Sequence, residues 1–430
     1  LSRRNFTVAL TVEERDILRE SDNVVDVVLE EGFNRMKPVL EEQLINPAFE
    51  NSASSTHDNW ALDHCAFRNG YKYIYSHTGK NVDIIFIDSG VDPNHSEFEQ
   101  NGVSRVRVIE WEAGQFSTKP DQYVDTEGHG TGVSSCGVGK RQGFAKDSDI
   151  YSIKIFDNDA YSPLKALQLA RTWHNQKTNG RPTIVNNSWG YSAEYPPGHP
   201  KAGQKHPVQV AVIDAEIESM IDAGIIVVSA AGNENHHVAA EGTAEYDDFY
   251  YTDSSGNYTE IMEDAAYFDR NNRYTPGGSA ETICVGSIGE FYPTSRFIRS
   301  WFSNFGSRVD IFAPGRVIQC AQSLTTNDLK KTNGTSFSSG ILSGIIALWL
   351  EINPTANQMD VRKWLSRHAF SSEVVGSLEG AENQTARVLF NGVRAAKDTP
   401  HTILLKQGNQ WYPVQHITSN KRAVYGRRIS

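Results

Sequence analysis

Asn81-Val82-Asp83-Ile84-Ile85-Phe86-Ile87-Asp88-Ser89-Gly90 is the stretch that decides the fold of this chain. Its apolar centre is β-branched and has no helical spacing, the pattern of a parallel strand buried on both faces. Asp88 stands at the carboxyl end of that strand, where open α/β sheets carry their functional residues. Two distant segments complete its meaning. Gly128-His129-Gly130-Thr131 heads a segment read as helical from about Thr131. Gly334-Thr335-Ser336 precedes Ile341 to Leu350, which is apolar nearly all round and reads as a buried helix. In chain order these supply a carboxylate, an imidazole and a hydroxyl, the parts that make a serine nucleophilic. Taken singly, each has a plain structural reading: a strand cap, a surface loop, a turn. Their joint occurrence, order and flanks carry the case.

The flanks also predict how charge is stabilised. Ser336 at a helix amino end has free N–H groups and positive dipole beside it, so its own N–H is a candidate oxyanion donor. Gly224 to Ala231 reads as another strand that runs through Gly232 to Asn233. The small residues Ala230, Ala231 and Gly232 leave room for a chain to lie alongside. The Asn233 side-chain amide is the second candidate donor. Alone, Asn233 reads as a turn residue.

Composition bounds the alternatives. The 430 residues suffice for one large domain with smaller attachments. A net charge of −11 disfavours nucleic-acid binding, which needs a basic footprint. No uninterrupted apolar run is long enough to span a membrane. Cys65, Cys136, Cys284 and Cys320 lack metal-ligand spacing and read as free buried thiols rather than disulfides. The chain opens without Met and without a signal-peptide pattern, which reads as the inside of a longer product.

These motifs resemble those of the subtilisin-like serine proteases, the subtilases, with spacing closest to the proteinase K side. The resemblance covers roughly residues 60 to 370. It takes in Trp60-Ala61-Leu62-Asp63, Gly143-Phe144-Ala145-Lys146, Val185-Asn186-Asn187-Ser188-Trp189-Gly190, Thr275-Pro276, Phe302-Ser303-Asn304-Phe305-Gly306 and Asp310 to Gly315. It implies an α/β fold with a doubly wound, mostly parallel sheet, and an endopeptidase working through an acyl-enzyme. By resemblance Ser336 attacks, His129 moves the proton, Asp88 orients the imidazole, and Asn233 with the Ser336 N–H holds the oxyanion, supported by Thr335. Ser188, Trp189 and Gly190 pair with an extended polypeptide substrate, and Ala230, Ala231 and Gly232 form the opposite strip. No metal or organic cofactor is implied as a requirement. A cis Thr275-Pro276 bond is implied as well. The chain departs from the family pattern at Phe337, at Gly340 where relatives have proline, and at Gly132 where many have a second histidine. The glycine is expected to loosen the nucleophile's helix. Trp189, bulkier than usual, is expected to narrow an outer subsite. Gly334 to Ser338 is not a G-x-S-x-G elbow, which argues against an α/β-hydrolase esterase.

Outside that match, residues 1–36 read as strand, helix, strand and resemble the latter half of an inhibitory propeptide. Residues 37–59 read as a linker holding a maturation cut. The insertion 236–272 is acidic and tyrosine-rich. Its carboxylates are of the kind Ca²⁺ takes, but a solvated acidic loop is the simpler reading and no metal ligand is assigned. The extension 371–430 contains a hairpin signal around Gly408-Asn409 and reads equally as a β-rich appendage or a docking strand for another protein. A second functional reading is a latent or structural subtilase-fold component of a larger assembly.

Overall fold

The computed structural model describes residues 38–39, 59–66, 75, 77–112, 115–117, 125–156, 161–194, 205–243, 246, 250–252, 258–260, 274–279, 281–289, 297–375, 384–389, 403–407, 410–420 and 423–428. The strand–helix–strand expected over residues 1–36 lies outside these, as does most of the acidic insertion.

One ten-stranded sheet organises the chain. Its strands are β1 Asp83–Asp88, β2 Val106–Val108, β3 Asp149–Lys154, β4 Thr183–Asn187, β5 Ile226–Ala230, β6 Ile283–Gly289, β7 Phe297–Arg299, β8 Ile311–Pro314, β9 Phe370–Val375 and β10 Gln384–Val388. They lie in the order β7-β9-β10-β8-β6-β5-β4-β1-β3-β2. From β8 to β2 every neighbouring pair is parallel. Antiparallel contacts occur only toward the other edge, between β6 and β7 and between β9 and β10.

The helices are α1 Trp60–Ala66, α2 His129–Val138, α3 Pro163–Gln176, α4 Ala211–Asp222, α5 Thr335–Ile352 and α6 Gln358–His368. They cover both faces of the sheet, which is why β1 is apolar without interruption. Ile84 and Phe86 pack in the core that contains residues of α2, α5 and α6. Ile85 and Ile87 pack in a second core with α3 and α4. Alternate side chains of one strand thus feed opposite layers. Arg171 of α3 clamps Glu216 of α4 through paired contacts of 2.6 and 3.2 Å, joining the second layer across its surface.

Helix α5 is 18 residues long and, among the described residues, the only helix long and apolar enough to cross a membrane. Its stretch is 83% buried inside the molecule, so it is the core helix of this domain. It crosses α2 with almost no spacing. A Cβ built on Gly340 would overlap the Val133 carbonyl. The glycine that replaces the family's proline is therefore a contact position in a continuous helix.

Strand β10 pairs with β8 and β9. Phe370–Val375 and Gln384–Val388 therefore extend the main sheet, further along the chain than the resemblance reached. Further on, Ile403–Gln407, Gln410–Asn420 and Ala423–Arg428 form a separate three-stranded antiparallel sheet, with Gln407 opposite Gln410; Gly408-Asn409, where the hairpin was expected to turn, lies outside the described residues. All four cysteines are buried and none is in a disulfide.

Candidate active site

The carboxyl ends of β1, β4 and β5 lie side by side. The chain order reverses at β1, whose next parallel neighbours lie on opposite sides, and such a switch point opens a crevice in α/β sheets. Each end contributes one part of the site.

Asp88, fully buried, ends β1. Its Oδ1 accepts the Ser89 backbone N–H at 2.7 Å and His129 Nδ1 at 2.8 Å. Because an ionised carboxylate only accepts, the imidazole proton sits on Nδ1 and leaves Nε2 as the basic nitrogen. His129 is the first residue of α2, so this helix begins two residues earlier than its sequence suggests. Gly130 has to be glycine, since a Cβ there would overlap the Gly90 carbonyl oxygen and lie 3.0 Å from the Asp88 Cβ.

A carboxylate that the sequence reading did not single out holds this loop. Asp125 is fully buried. Its Oδ1 accepts the Ser89 hydroxyl at 2.8 Å and the Gly128 N–H at 2.7 Å, and its Oδ2 accepts the Thr131 N–H at 2.8 Å. Ser89 in turn accepts the Gly130 N–H at 2.8 Å. The amides around His129 are thereby tied to the end of β1. An acid four residues ahead of the histidine, beside a glycine-rich turn full of N–H donors, was the available signal.

Ser336 is the second residue of α5 and is 1% exposed. Its hydroxyl donates to the Ser188 carbonyl at 3.3 Å. Serine and asparagine side chains bolt the helix to β4. The Ser188 hydroxyl reaches the Ser336 carbonyl at 3.2 Å and Ser339 Oγ at 2.9 Å, and Asn186 Nδ2 donates to Ser188 Oγ at 2.7 Å. Ser343 reaches Asn186 at 3.1 Å. Ser339 and Ser343 sit four apart in a mostly apolar helix, a spacing that could have flagged them. Ser338 donates to the carbonyls of Ala313 and Pro314 on β8.

Asn233 lies just past β5. Its Oδ1 accepts both the Thr335 N–H at 2.9 Å and the Thr335 hydroxyl at 3.0 Å. That orientation turns Nδ2 toward the α5 amino end, 3.6 Å from an ideal Cβ at Gly334. Thr335 also accepts the Gly232 N–H at 3.2 Å. Asn304 accepts from Glu234 and His236 and donates to the Ala231 carbonyl, which secures the turn carrying Asn233.

The two departures beside the serine are one contact. Phe337 packs edge-on against the His129 ring, with centroids 5.8 Å apart. A Cβ at Gly132 would lie 3.2 Å from both Phe337 Cε1 and Cys320 Sγ. Glycine at 132 makes the space that Phe337 occupies.

The strip Ser188-Trp189-Gly190 continues from β4. Trp189 is fully buried and stacks edge-on against Tyr191 in the α3–α4 core. Its indole has no exposed surface with which to narrow an outer subsite, so that expectation is corrected. Gly190 and Tyr191 pair antiparallel with Val39 and Pro38. Beneath them the Thr275-Pro276 bond is cis, and the Thr275 carbonyl accepts the Tyr191 N–H at 3.0 Å. Burial raises the Asp214 carboxyl, opposed by donations from Ser279, Thr275 and Gln209 that hold this turn. Ala230, Ala231 and Gly232 are buried beside α5.

The sequence profile of the subtilase family matches residues 79–409. The chain belongs to the subtilase family. A cuticle-degrading serine protease of Arthrobotrys oligospora is 24% identical over 79% of this chain and 69% of that protein. A subtilisin-like protease of Coccidioides posadasii is 28% identical over 77% of this chain and 66% of that protein. Alkaline serine exoprotease A of Vibrio alginolyticus is 25% identical over 86% and 56%. The chain spans 48 to 69% of the length of these and five further relatives. Among solved structures, a cold adapted subtilisin-like serine proteinase matches with a TM-score of 0.54 at 24% identity, over 77% of this chain and 97% of that one. Sphericase matches at 0.55 and 17% identity, over 80% and 100%. Both share the fold.

Proposed function

We propose that the chain is a serine endopeptidase that cleaves polypeptides through an acyl-enzyme on Ser336. The observation that carries the reading is the contact between the buried Asp88 and the partly exposed His129, 2.8 Å apart, set against the helix whose first turn holds Ser336. His129 Nε2 takes the proton of the Ser336 hydroxyl as Oγ attacks the carbonyl carbon. The ionised Asp88 stabilises the imidazolium so formed. The oxyanion is held by the Ser336 N–H, at the positive end of α5, and by Asn233 Nδ2. The proton on Nε2 then passes to the leaving amine, and water repeats the sequence to free the serine. This chemistry draws on side chains and backbone donors and calls for no cofactor. The acidic insertion is read as a solvated loop, and chelation tests Ca²⁺ binding there.

The acyl side of the substrate adds to the edge at Ser188, Trp189 and Gly190, with Ala230, Ala231 and Gly232 opposite. Pro38 and Val39 already pair with this edge. The same proposal therefore makes the segment ahead of them an intramolecular inhibitor. Of the region 371–430, the part beyond the main sheet, with the three strands between residues 403 and 428, is proposed as an attachment available to a protein partner.

The test is labelling by a fluorophosphonate probe, with Ser336→Ala as control, before and after removal of residues 1–36. Specific labelling at Ser336, faster once the segment is gone, is expected. No labelling in either form would overturn the reading and favour a latent or structural component.

A further inference from the structure

Beside the histidine loop lies a cleft of about 370 Å³ that the proposed chemistry does not use. Thr126, Glu127 and Gly128 form one wall, and Gln322, Ser323, Leu324 and Lys330 form the other. The second wall is a hairpin, Ile318–Ala321 paired with Leu329–Thr332, that places Lys330 opposite Cys320. Lys330 is half-buried, and among the described residues its ammonium makes only a long contact, 3.4 Å, to the Gly128 carbonyl. Among the described residues no carboxylate lies within ion-pair distance of it, whereas Lys177 meets Asp83 at 2.6 Å. At the rim Leu324 is 62% exposed and held in the left-handed region at φ 62°. Its amide is fixed there by Asp92 at 2.9 Å. An apolar lip over an unneutralised, partly desolvated cation is the lining of a pocket for a carboxylate on an aliphatic stem.

The position of the cleft says which part of a substrate reaches it. Gly128 immediately precedes His129, and the imidazole must touch the leaving nitrogen. The chain beyond the scissile bond therefore departs along this loop, while the acyl side is engaged at Ser188 to Gly190. We infer that the cleft is a subsite for the first few residues beyond the scissile bond and that Lys330 selects an acidic side chain there. Glu127, on the opposite wall, is exposed and so screened, whereas Lys330 is half-buried. The inference rests on the endopeptidase reading above.

The experiment uses quenched fluorescent peptides of one upstream sequence that carry Glu, Gln or Lys at the first, second or third position beyond the cut. In the wild type, kcat/KM for Glu exceeds that for Gln at one of these positions by about two- to fivefold, the size of a partly screened ion pair. The ratio falls to about one in Lys330→Met, persists in Lys330→Arg, and reverses toward Lys in Lys330→Glu. An unchanged ratio across the variants overturns the subsite. Fluorophosphonate labelling separates the two failures. An unlabelled wild-type Ser336 removes the endopeptidase reading itself. Labelled enzyme with invariant ratios removes the subsite alone.

Discussion

Replacing Asp125 by asparagine tests whether the histidine is aimed by a buried carboxylate that never meets substrate. The change conserves volume, so no cavity forms. Its cost comes from hydrogen bonding. Asp125 accepts from Ser89 Oγ, Gly128 N–H and Thr131 N–H. If the asparagine oxygen takes the Oδ1 place, the first two bonds survive as neutral ones. The amide then faces the Thr131 N–H, donor to donor. Losing one bond to a charged group costs about 1.5–3 kcal/mol. The surviving pair weakens as well, since charge-assisted bonds are roughly twice as strong as neutral ones. A total near 3 kcal/mol follows, and the flipped amide, which loses two bonds, costs more. The melting temperature should fall by several degrees, read by calorimetry or circular dichroism. Because the strained turn carries His129, kcat should fall by about tenfold to a hundredfold, the price of a displacement on the order of 1 Å. KM should change little, because the carboxylate is fully buried. Wild-type kcat together with wild-type thermal stability would refute the reasoning. A fall in stability with unchanged kcat would confine Asp125 to folding.

The contact between residues 132 and 337 predicts coupling. Gly132→Ala puts a methyl 3.2 Å from the Phe337 ring and should cost about 1–3 kcal/mol by overpacking, with reduced kcat. Adding Phe337→Leu should recover at least about 0.5 kcal/mol, and strict additivity in the double-mutant cycle would reject the contact. His174, half-buried between Thr183 and the Ala223 carbonyl, has its pKa lowered below 6.5 first by burial and then by Lys177. The folded state therefore binds fewer protons, and the contribution of this group is present above the unfolded pKa. It declines as pH falls through that value, and levels off below the folded one. Denaturant unfolding from pH 7.5 to 5 should show a shallower decline in His174→Gln, and an identical slope would count against it. Burial raises the Cys65 and Cys136 thiols, so few thiolates exist. Iodoacetamide followed by peptide mapping should leave both unmodified until the protein is unfolded, and rapid native alkylation would contradict the packing.

What could be read along the chain was whatever burial imposes on neighbours in sequence. Strand β1 is covered by helices on both faces, so its pattern is continuous, and Asp88 stands out as the polar residue at its end. The α5 helix is apolar nearly all round because 15 of its 18 residues are buried, and Ser336 near its start is conspicuous for the same reason. What escaped was whatever depends on a partner distant in sequence. Trp189 looked like a groove residue because it adjoins Gly190, yet the sheet turns its indole into the α3–α4 layer. Asp125 went unnoticed because its three donors are unremarkable until the β1 end comes within 2.8 Å. Gly132 and Phe337 read as two unrelated losses, although each is the condition for the other. Gly340 read as a missing proline, although a larger residue would keep α2 from its place. Departures from a family pattern thus become interpretable in pairs, once the surface that joins them is known. The corresponding expectation is that a subtilase with a bulky residue after the nucleophile keeps glycine three positions beyond the histidine.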